Sequence, residues 1–452
     1  MANQLLTISM ITNTALPVLS NTCVLTDKMN RQYSDEFARK DAKIGATVNV
    51  RRPPRYTGTF GPALNVEPSV ETYVPVSLNY QFHVDVQFNT VNMLLDISEF
   101  KQRFLEHACA AVGNRIDSDG AYFAYQNTAL QLGTFGTSPT SFKVFSDARA
   151  VLASEGAPKG MTPSVVLDPL SMSSMADGLK GLFNPQRVIS DNYETGMVAA
   201  KTAGFDWFED QNIPTFTTGT LTGTPVLAGA TSAAGGTALL TSGWAGSGTF
   251  ELSGLTNNAA QCYVGDILQV KGVYPVNPQN RGQYGKSLKQ FVVIAPAGYA
   301  PMSGAAAAGG PQFATATLAH GTFNATTGLY TSNGSGLLTV YVAECLISGG
   351  QFQNASAAPV SPYTVTINGG AAAATASPQG LAFYRDAYAL AFADLPLPRT
   401  AVEASRAYDD QLGLSIRIAT QYTINNDAEP TRMDVLYGFS SLYRQLGLRI
   451  AG

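Results

Sequence analysis

Residues 414–439, LSIRIATQYTINNDAEPTRMDVLYGF, contain the pattern that decides how the C-terminal part of the chain folds. Apolar residues alternate with polar ones on both sides of an Asn-Asn-Asp run: Leu414, Ile416, Ile418, Tyr422 and Ile424 before it, and Met433, Val435, Tyr437 and Phe439 after it. A period of two is typical of a strand with one buried face. Asn and Asp tolerate left-handed backbone, and Pro430 keeps Glu429 out of a helix. The sequence predicts a hairpin, with Arg432 and Asp434 on the face away from Met433 and Val435.

The composition of the whole chain favours a folded protein with a nearly neutral surface. The 452 residues are 45% hydrophobic and only 13% charged, and the formal net charge is −4. This length and hydrophobic content can fill two or three ordinary cores. A dedicated nucleic-acid-binding protein would need a basic face, so the composition argues against that class.

Cysteine spacing and the N-terminus exclude several further classes. Cys23, Cys109, Cys262 and Cys345 lie far apart, so neither a zinc site nor a disulfide framework is indicated, and buried free thiols are expected. The N-terminus lacks the basic and apolar regions of a signal peptide, and no apolar run is long enough to span a membrane. We therefore expect a soluble protein that is made in a cytoplasm and has no membrane partner.

Changes in pattern along the chain divide it into six segments. We expect an N-terminal arm at 1–47, an extended loop with flanking strands at 48–95, and a long helix within 96–135, capped by Asp96 and Glu99 and loosened near Gly113 or Gly120. Alternating strand and helix at 136–216 indicate an α/β part, with Leu170 and Met175 on the apolar face of one helix. Similar patterns resume at 379–452.

The segment between these parts differs sharply in composition. From Asp210 to Arg385 the only charged residues are Glu251, Asp266, Lys271, Arg281, Lys286, Lys289 and Glu344. Six short β-like runs, such as GTFELSGL and GLLTVYVAE, recur between turn residues. This pattern predicts an inserted β domain at 217–378 that is closed or sandwich-like.

None of the usual catalytic or ligand motifs is present in the sequence. His83, His107 and His320 are isolated, no G-x-S-x-G motif exists, and the GKS at 285–287 has Asn280 where a phosphate loop needs glycine. Two acidic groups, Asp117 with Asp119 and Asp409 with Asp410, are interpreted as solvated surface residues. We therefore expect no enzyme activity, no cofactor and no metal.

The arginines at the start of the extended loop are the most suggestive polar cluster. Arg51, Arg52 and Arg55 surround two prolines and precede Tyr56. A guanidinium group can pair with a carboxylate of another chain through two parallel hydrogen bonds. A solvated loop base is an equally good interpretation of the same residues.

Four blocks of sequence follow one another along the chain: AGFDWFEDQNIPTFTTGT at 203–220, GDILQVKGVYPVNPQNRGQYGKSLKQFVV at 265–293, LAFYRDAYALAFADLPLP at 381–398 and YTINNDAEPTRMDVLYG at 422–438. Together, in this order, they resemble the coat proteins of tailed bacteriophages of the P22 type. The resemblance implies an α+β, HK97-like fold with an N-terminal arm, an extended loop, a spine helix, peripheral and axial domains and an inserted antiparallel β-barrel. It also implies a major capsid protein that forms the pentamers and hexamers of an icosahedral head shell.

The same resemblance suggests partners and contact residues. The partners are further copies of the chain, a portal protein, a separate scaffolding protein, a possible decoration protein and packaged double-stranded DNA that is enclosed without sequence-specific binding. Candidate contacts between subunits in the extended loop are Arg51, Arg52, Arg55, Tyr56, Glu67 and Glu71. Candidate contacts between capsomers are Arg281, Lys286 and Lys289. The protein would be assembled in the host bacterial cytoplasm and reside in the virion.

Two further predictions and two alternatives accompany this hypothesis. Some members of the wider fold crosslink their subunits through a lysine of the extended loop, but no lysine lies between Lys43 and Lys101, so no such crosslink is expected. No fused scaffolding segment is expected either. A tail-tube or decoration protein remains an alternative, as does a secreted β-domain enzyme or adhesin.

Overall fold

The structure is a computed structural model, which describes residues 23–33, 47–89, 106–179, 201–231, 233–296, 316–369, 376–398, 401, 403–409, 414–425 and 428–452. It forms two compact units, one of residues 1–50, 74–121 and 388–442 and the other of residues 51–73, 122–387 and 443–452. The predicted N-terminal helix at 3–20 and the predicted caps Asp96 and Glu99 lie outside the described residues.

A sheet of five antiparallel strands forms the first unit. Its strands are β3 (Tyr80–Asn89), β21 (Tyr388–Ala393), β22 (Glu403–Asp409), β23 (Leu414–Thr420) and β24 (Ala428–Ser441). The order is β21-β24-β23-β22, and β3 also pairs with β24. The pairing of Ile418 with Met433 confirms the predicted hairpin. Tyr422 and Ile424 were predicted on its buried face, but they are exposed because β23 ends at Thr420.

Helix α1 (Glu106–Asn127) packs its first four turns within the same unit. The predicted loosening at Gly113 or Gly120 is wrong, since the helix is continuous through both. Gly120 serves close packing instead: a Cβ there would lie 2.5 Å from Thr26 Cγ2 and 3.2 Å from Phe439 Cε1. The sequence signal for a flexible point therefore marks a place where only a bare backbone fits.

Asp117 and Asp119 of α1 were predicted as solvated, and both are buried. The Asp117 carboxylate accepts hydrogen bonds from the backbone N–H groups of Val24, Leu25 and Thr26 at 3.0, 3.3 and 2.8 Å and from Thr26 Oγ1 at 2.7 Å. Asp119 accepts one from Tyr437 Oη at 2.6 Å. Part of the predicted arm thus lies on its own subunit, and its buried amides require acceptors there.

The second unit contains a sheet covered by short helices. Its strands are β4 (Leu130–Gly133), β5 (Ser164–Leu167), β6 (Asp206–Glu209), β7 (Thr215–Thr217), β20 (Ala376–Phe383) and β25 (Gly447–Ala451), in the order β4-β25-β20-β5-β6 with β7 on β20. Helices α2 (Phe142–Ser154) and α3 (Pro169–Leu179) belong to this unit. Met172 and Met175 are buried, but Leu170, expected on the same face, is 77% exposed.

The charge-poor segment forms many short strands around one core of its own. They are β8 (Gly223–Leu227), β9 (Leu239–Leu240), β10 (Gly248–Leu255), β11 (Ala260–Tyr263), β12 (Ile267–Val270), β13 (Gln290–Val292), β14 (Ala316–Thr317), β15 (Thr322–Asn324), β16 (Leu329–Thr331), β17 (Leu338–Val342), β18 (Leu346–Ile347) and β19 (Val365–Ile367). The six predicted runs all contain strands, and further strands lie between them. Phe250, Phe291 and Tyr330 are among the side chains that fill the core.

The strands of this segment join into a ring. Three strands pair in the order β17-β10-β8 and three in the order β13-β12-β19. Single bridges link Val226 with Thr364 and Val293 with Val342, so each end of one sheet meets an end of the other. At the base of the segment β7 pairs with β20, Phe216 opposite Ser377. The chain therefore enters and leaves the segment at adjacent strands.

Candidate interaction surface

Residues 53–71, between β1 (Thr47–Arg52) and β2 (Thr72–Ser77), form an extended loop without regular secondary structure. Pro53, Pro54, Gly58, Gly61 and Pro62 interrupt this stretch, which explains why neither a helix nor a ladder of strands forms.

The loop exposes a series of apolar side chains. Phe60 is fully exposed, Leu64 and Val66 are 91% and 77% exposed, and Tyr56 is 57% exposed. Burying a side chain of this size stabilises a structure by about 1.5–3 kcal/mol, so leaving several of them in water forgoes a large gain. Exposed apolar clusters of this kind mark surfaces that contact another macromolecule.

Polar groups inside the loop tie its two arms together. Thr57 donates its backbone N–H to Glu67 Oε2 at 2.6 Å and its hydroxyl to Glu67 Oε1. Asn65 Nδ2 donates to Thr59 Oγ1 at 3.0 Å, and Tyr56 Oη lies 3.2 Å from Ser69 Oγ. The bonds from Thr57 lower the pKa of Glu67. At neutral pH this carboxylate is ionised and can accept both hydrogen bonds.

The arginines at the loop base have partners in the same unit. Arg51 pairs with Glu71 at 3.6 Å, with both side chains mostly exposed. The guanidinium carbon of Arg52 lies 5.1 Å from the ring centre of Tyr443 and 6.0 Å from that of Trp244. Such cation–π contacts stabilise a side chain by about 0.5–2 kcal/mol, so they hold the start of the loop in place.

A buried group of charged side chains lies beside Arg55. Tyr284 Oη donates to Glu155, and Lys289 Nζ lies 3.5 Å from Glu344 Oε1, which also accepts from Asn354 Nδ2 at 2.8 Å. Burial raises the pKa of Glu155, while the charges of Lys289 and Arg55 oppose that shift. Burial lowers the pKa of Arg55, and the carboxylates of Glu344 and Glu155 oppose that change.

This charged group lines a cavity of about 90 Å³. Glu155, Tyr284, Lys289, Glu344 and Arg444 are among its lining residues. Lys289 is only 6% exposed and is already paired. Of the three residues predicted to contact another capsomer, Lys289 is buried, Arg281 is partly buried and Lys286 is exposed.

The other sequence candidates do not come together in a site. His83 Nδ1 lies 3.1 Å from Asp85 Oδ2, His107 is exposed, and His320 lines a separate cavity of about 400 Å³ with Glu251. Gly285, Lys286 and Ser287 lie in an irregular stretch between strands. Asp409 ends β22, and Asp410 lies outside the described residues. Within the described ranges, no three His, Cys, Asp or Glu side chains cluster as metal ligands would.

The four cysteines are buried in the interior of the protein. Cys23, Cys109, Cys262 and Cys345 are buried free thiols, as predicted. Burial raises the pKa of Cys23 and of Cys345 to about 12, so neither is a reactive thiolate at neutral pH. None of the helices in the described ranges has the length and apolar character of a membrane span.

The polar residues of the loop and Tyr56 could be singled out from the sequence, whereas Phe60, Leu64 and Val66 were not predicted as contact residues. Arg51, Arg52, Tyr56 and Glu67 form contacts within their own unit, whereas Phe60, Leu64 and Val66 are highly exposed. A signal existed in the sequence, because large apolar residues recur within a Pro/Gly-rich stretch that has no period to bury them.

A profile of the family described as "P22 coat protein - gene protein 5" matches residues 1–300 of the 452 residues. Comparison with curated proteins finds no match.

Among solved structures, one from Mycobacterium phage Che8 is similar at 9% identity and a TM-score of 0.41, covering 95% of this chain and 90% of that one. The capsid structure of cyanophage P-SCSP1u is similar at 9% identity and a TM-score of 0.41, covering 95% and 88%. The mature capsid of bacteriophage PhiM1 is similar at 8% identity and a TM-score of 0.38, covering 90% and 82%. The α+β fold class predicted from the sequence is confirmed, and the family match over 300 residues shows that the chain belongs to the P22 coat protein family.

Proposed function

We propose that this coat protein assembles into the pentamers and hexamers of an icosahedral head shell, and that the loop at residues 53–71 lies on a neighbouring subunit. The observation that carries the proposal is the series of exposed apolar side chains from Tyr56 to Val70. A covering surface is needed to bury them, and in a shell made of one chain the most abundant available surface is a second copy.

The segmentation of the chain supports the HK97-like arrangement that the family implies. In this proposal residues 217–378 are the inserted β-barrel domain, because β7 and β20 pair at its base and its strands join in a ring. Helix α1 is the spine helix, and residues 1–47 are the N-terminal arm. The sheets of the two units belong to the peripheral and axial domains.

The same proposal covers the DNA inside the shell, the partner proteins and the place of assembly. The shell encloses double-stranded DNA without gripping it, in keeping with a net charge of −4 and a chain with only 13% charged residues. A portal protein, a separate scaffolding protein and a decoration protein are the proposed partners. Assembly takes place in the host cytoplasm, and the protein ends in the virion as a structural component rather than an enzyme.

The test combines assembly with a loop variant. The wild-type chain, expressed alone and with the proposed scaffolding protein, is expected to give round shells by negative-stain electron microscopy. The double variant Phe60→Asp/Leu64→Asp is expected to fold normally, with a free energy of unfolding within about 0.5 kcal/mol of wild type, because both side chains are exposed in the subunit. It is expected to form no shells.

A matched control separates the loop from a general effect of surface charge. Met161 is 45% exposed in a different loop of the same unit. Met161→Asp introduces one charge of the same sign and is expected to assemble. Normal shells from the Phe60→Asp/Leu64→Asp variant would contradict the proposed role of the loop, and only monomers from the wild type under all conditions would contradict the proposed function.

A further inference from the structure

The loop at residues 276–288, which follows β12, is attached to the end of helix α2. Asn277 Nδ2 donates to the backbone carbonyl of Ser154, the last residue of α2, at 2.7 Å. Tyr284 Oη donates to Glu155, the residue that follows. The final carbonyls of a helix have no partner within it, so Asn277 satisfies one of them. Two points of the 276–288 loop, Asn277 and Tyr284, are thereby attached to the C-terminal end of α2.

A closed turn at the tip of this loop holds Arg281 in an uncommon conformation. The N–H of Arg281 donates to the carbonyl of Asn277 and the N–H of Asn277 donates to the carbonyl of Gly282, both at 2.9 Å. Arg281 has φ of 56°, in the left-handed region that residues with a side chain seldom adopt. Conformations of this kind persist where the surrounding structure imposes them, and they concentrate at functional positions.

The side chain of Arg281 reaches the extended loop of the same unit. Its guanidinium group donates to the backbone carbonyl of Tyr56 at 3.1 Å. Thr57, the next residue, donates both its N–H and its hydroxyl to Glu67 on the opposite arm of the loop. The Arg281 charge also favours the ionised form of Glu67. One arginine therefore contacts the point at which the two arms of the extended loop are joined.

We propose that Arg281 is a positioning residue that holds the extended loop of its own subunit in the orientation from which the loop reaches a neighbour. This inference rests on the proposed function and makes it more specific. It assigns to Arg281 a contact within one subunit, in place of the contact between capsomers that the sequence predicts. The inserted segment then influences assembly through its 276–288 loop, because Arg281 in that loop positions the extended loop.

Lys286 provides a natural control in the same loop. It is exposed, it has the same charge, and it bonds to none of the residues that the structure describes. If charge on the 276–288 loop were sufficient, Lys286 and Arg281 would be equivalent. The geometry makes them different, because only Arg281 contacts Tyr56.

The experiment measures hydrogen exchange of the unassembled subunit in wild type, Arg281→Met and Lys286→Met. Methionine keeps an unbranched side chain and removes the donors. Loss of one hydrogen bond corresponds to about a 2- to 10-fold change in an opening equilibrium. We expect the Thr57 amide to exchange faster by about that factor in Arg281→Met and at the wild-type rate in Lys286→Met, with the rest of the chain unchanged in both.

Assembly of the same three proteins then distinguishes the possible results. Slower shell formation by Arg281→Met together with faster exchange at Thr57 supports the proposal. Slower shell formation with exchange at Thr57 unchanged would place the action of Arg281 between subunits and would overturn it. Equal exchange in all three proteins would overturn it as well. If the wild type forms no shells, the proposed function fails, while the exchange measurement still decides whether Arg281 holds the loop.

Discussion

Replacing Arg417 by Met is expected to destabilise the sheet of the first unit far more than the same change at Arg432. Arg417 of β23 lies opposite Asp434 of β24, and its Nε donates to Asp434 Oδ1 at 2.9 Å while its terminal nitrogen bonds the other oxygen. The Asp434 side chain has no exposed surface. After the substitution this buried carboxylate would retain a hydrogen bond from Gln81 Nε2 at 3.2 Å.

The magnitude follows from burial. Removing one partner of a buried ion pair costs about 3–5 kcal/mol, because the remaining charge is left without compensation. Arg432 makes an equally well-formed pair with Asp85, at 2.7 and 3.0 Å, but its two side chains are 48% and 46% exposed. Exposed pairs contribute about 0–1 kcal/mol. The two arginines lie in one sheet and make similar hydrogen bonds. Their replacement by Met is nevertheless expected to lower the free energy of unfolding by amounts that differ by about 3 kcal/mol.

The assay is urea unfolding of the unassembled subunit, followed by circular dichroism, with hydrogen exchange of residues 414–441 reporting on the sheet itself. The double variant Arg417→Met/Asp434→Leu should regain most of the free energy of unfolding that Arg417→Met loses, since it removes both charges. If Arg417→Met and Arg432→Met destabilise equally, the reasoning from burial is wrong.

Three further predictions concern other buried contacts. Asp117→Asn should lower the free energy of unfolding by about 3 kcal/mol and speed hydrogen exchange of the Val24 to Thr26 amides. One carboxylate oxygen that accepts hydrogen bonds from these N–H groups is replaced by an amide nitrogen, which is a donor. Gly120→Ala should lower the melting temperature despite the better helix propensity of Ala, with a cost of about 1–3 kcal/mol from the contact with Thr26. Burial raises the pKa of Asp266 from 3.8 to about 7, so between these values the folded protein holds a proton that the unfolded chain has released. The free energy of unfolding should therefore fall by up to about 4 kcal/mol as pH rises through this window. Thermal unfolding at pH 5 and pH 8 measures the difference, which should be smaller in Asp266→Asn than in the wild type.

Each of these predictions has a control or a contrary result. Asp147 of α2 forms an exposed pair with Lys143, and Asp147→Asn should change stability by less than about 0.5 kcal/mol. Equal effects of Asp117→Asn and Asp147→Asn would contradict the anchoring role of Asp117. A Gly120→Ala protein more stable than wild type would show that the helix shifts to make room. Burial also raises the pKa of Glu155, so part of the pH dependence should remain in Asp266→Asn, and an unchanged dependence would contradict the role of Asp266.

Much of the fold follows from local patterns in the sequence. Alternation at Ile416, Ile418, Met433 and Val435 was sufficient to place the C-terminal hairpin, since a period of two depends only on which face is buried. The sharp fall in the number of charged residues after Asp210 likewise marked the β-rich segment. In the paired part of the hairpin the apolar residues of the pattern are buried, whereas Tyr422 and Ile424, beyond the end of β23, are exposed.

What could not be predicted depends on partners far away in sequence. The Asp117 carboxylate is buried because Thr26, 91 positions earlier, brings its N–H to it. No local pattern distinguishes such an aspartate from a solvated one. Likewise, the isolated bridge between Val226 and Thr364 that helps to close the ring of strands joins distant residues. The sequence also could not show that Tyr443 and Trp244 contact Arg52, or that the Tyr56 carbonyl accepts a hydrogen bond from Arg281.

We propose that the exposed loop at residues 53–71 joins neighbouring copies of this coat protein. A cryo-electron microscopy map of shells assembled from the wild-type chain tests it most directly. The expected result is that Phe60 and Leu64, exposed in the single subunit, are buried against an adjacent copy in both pentamers and hexamers. Shells in which these two side chains remain in solvent would contradict the claim.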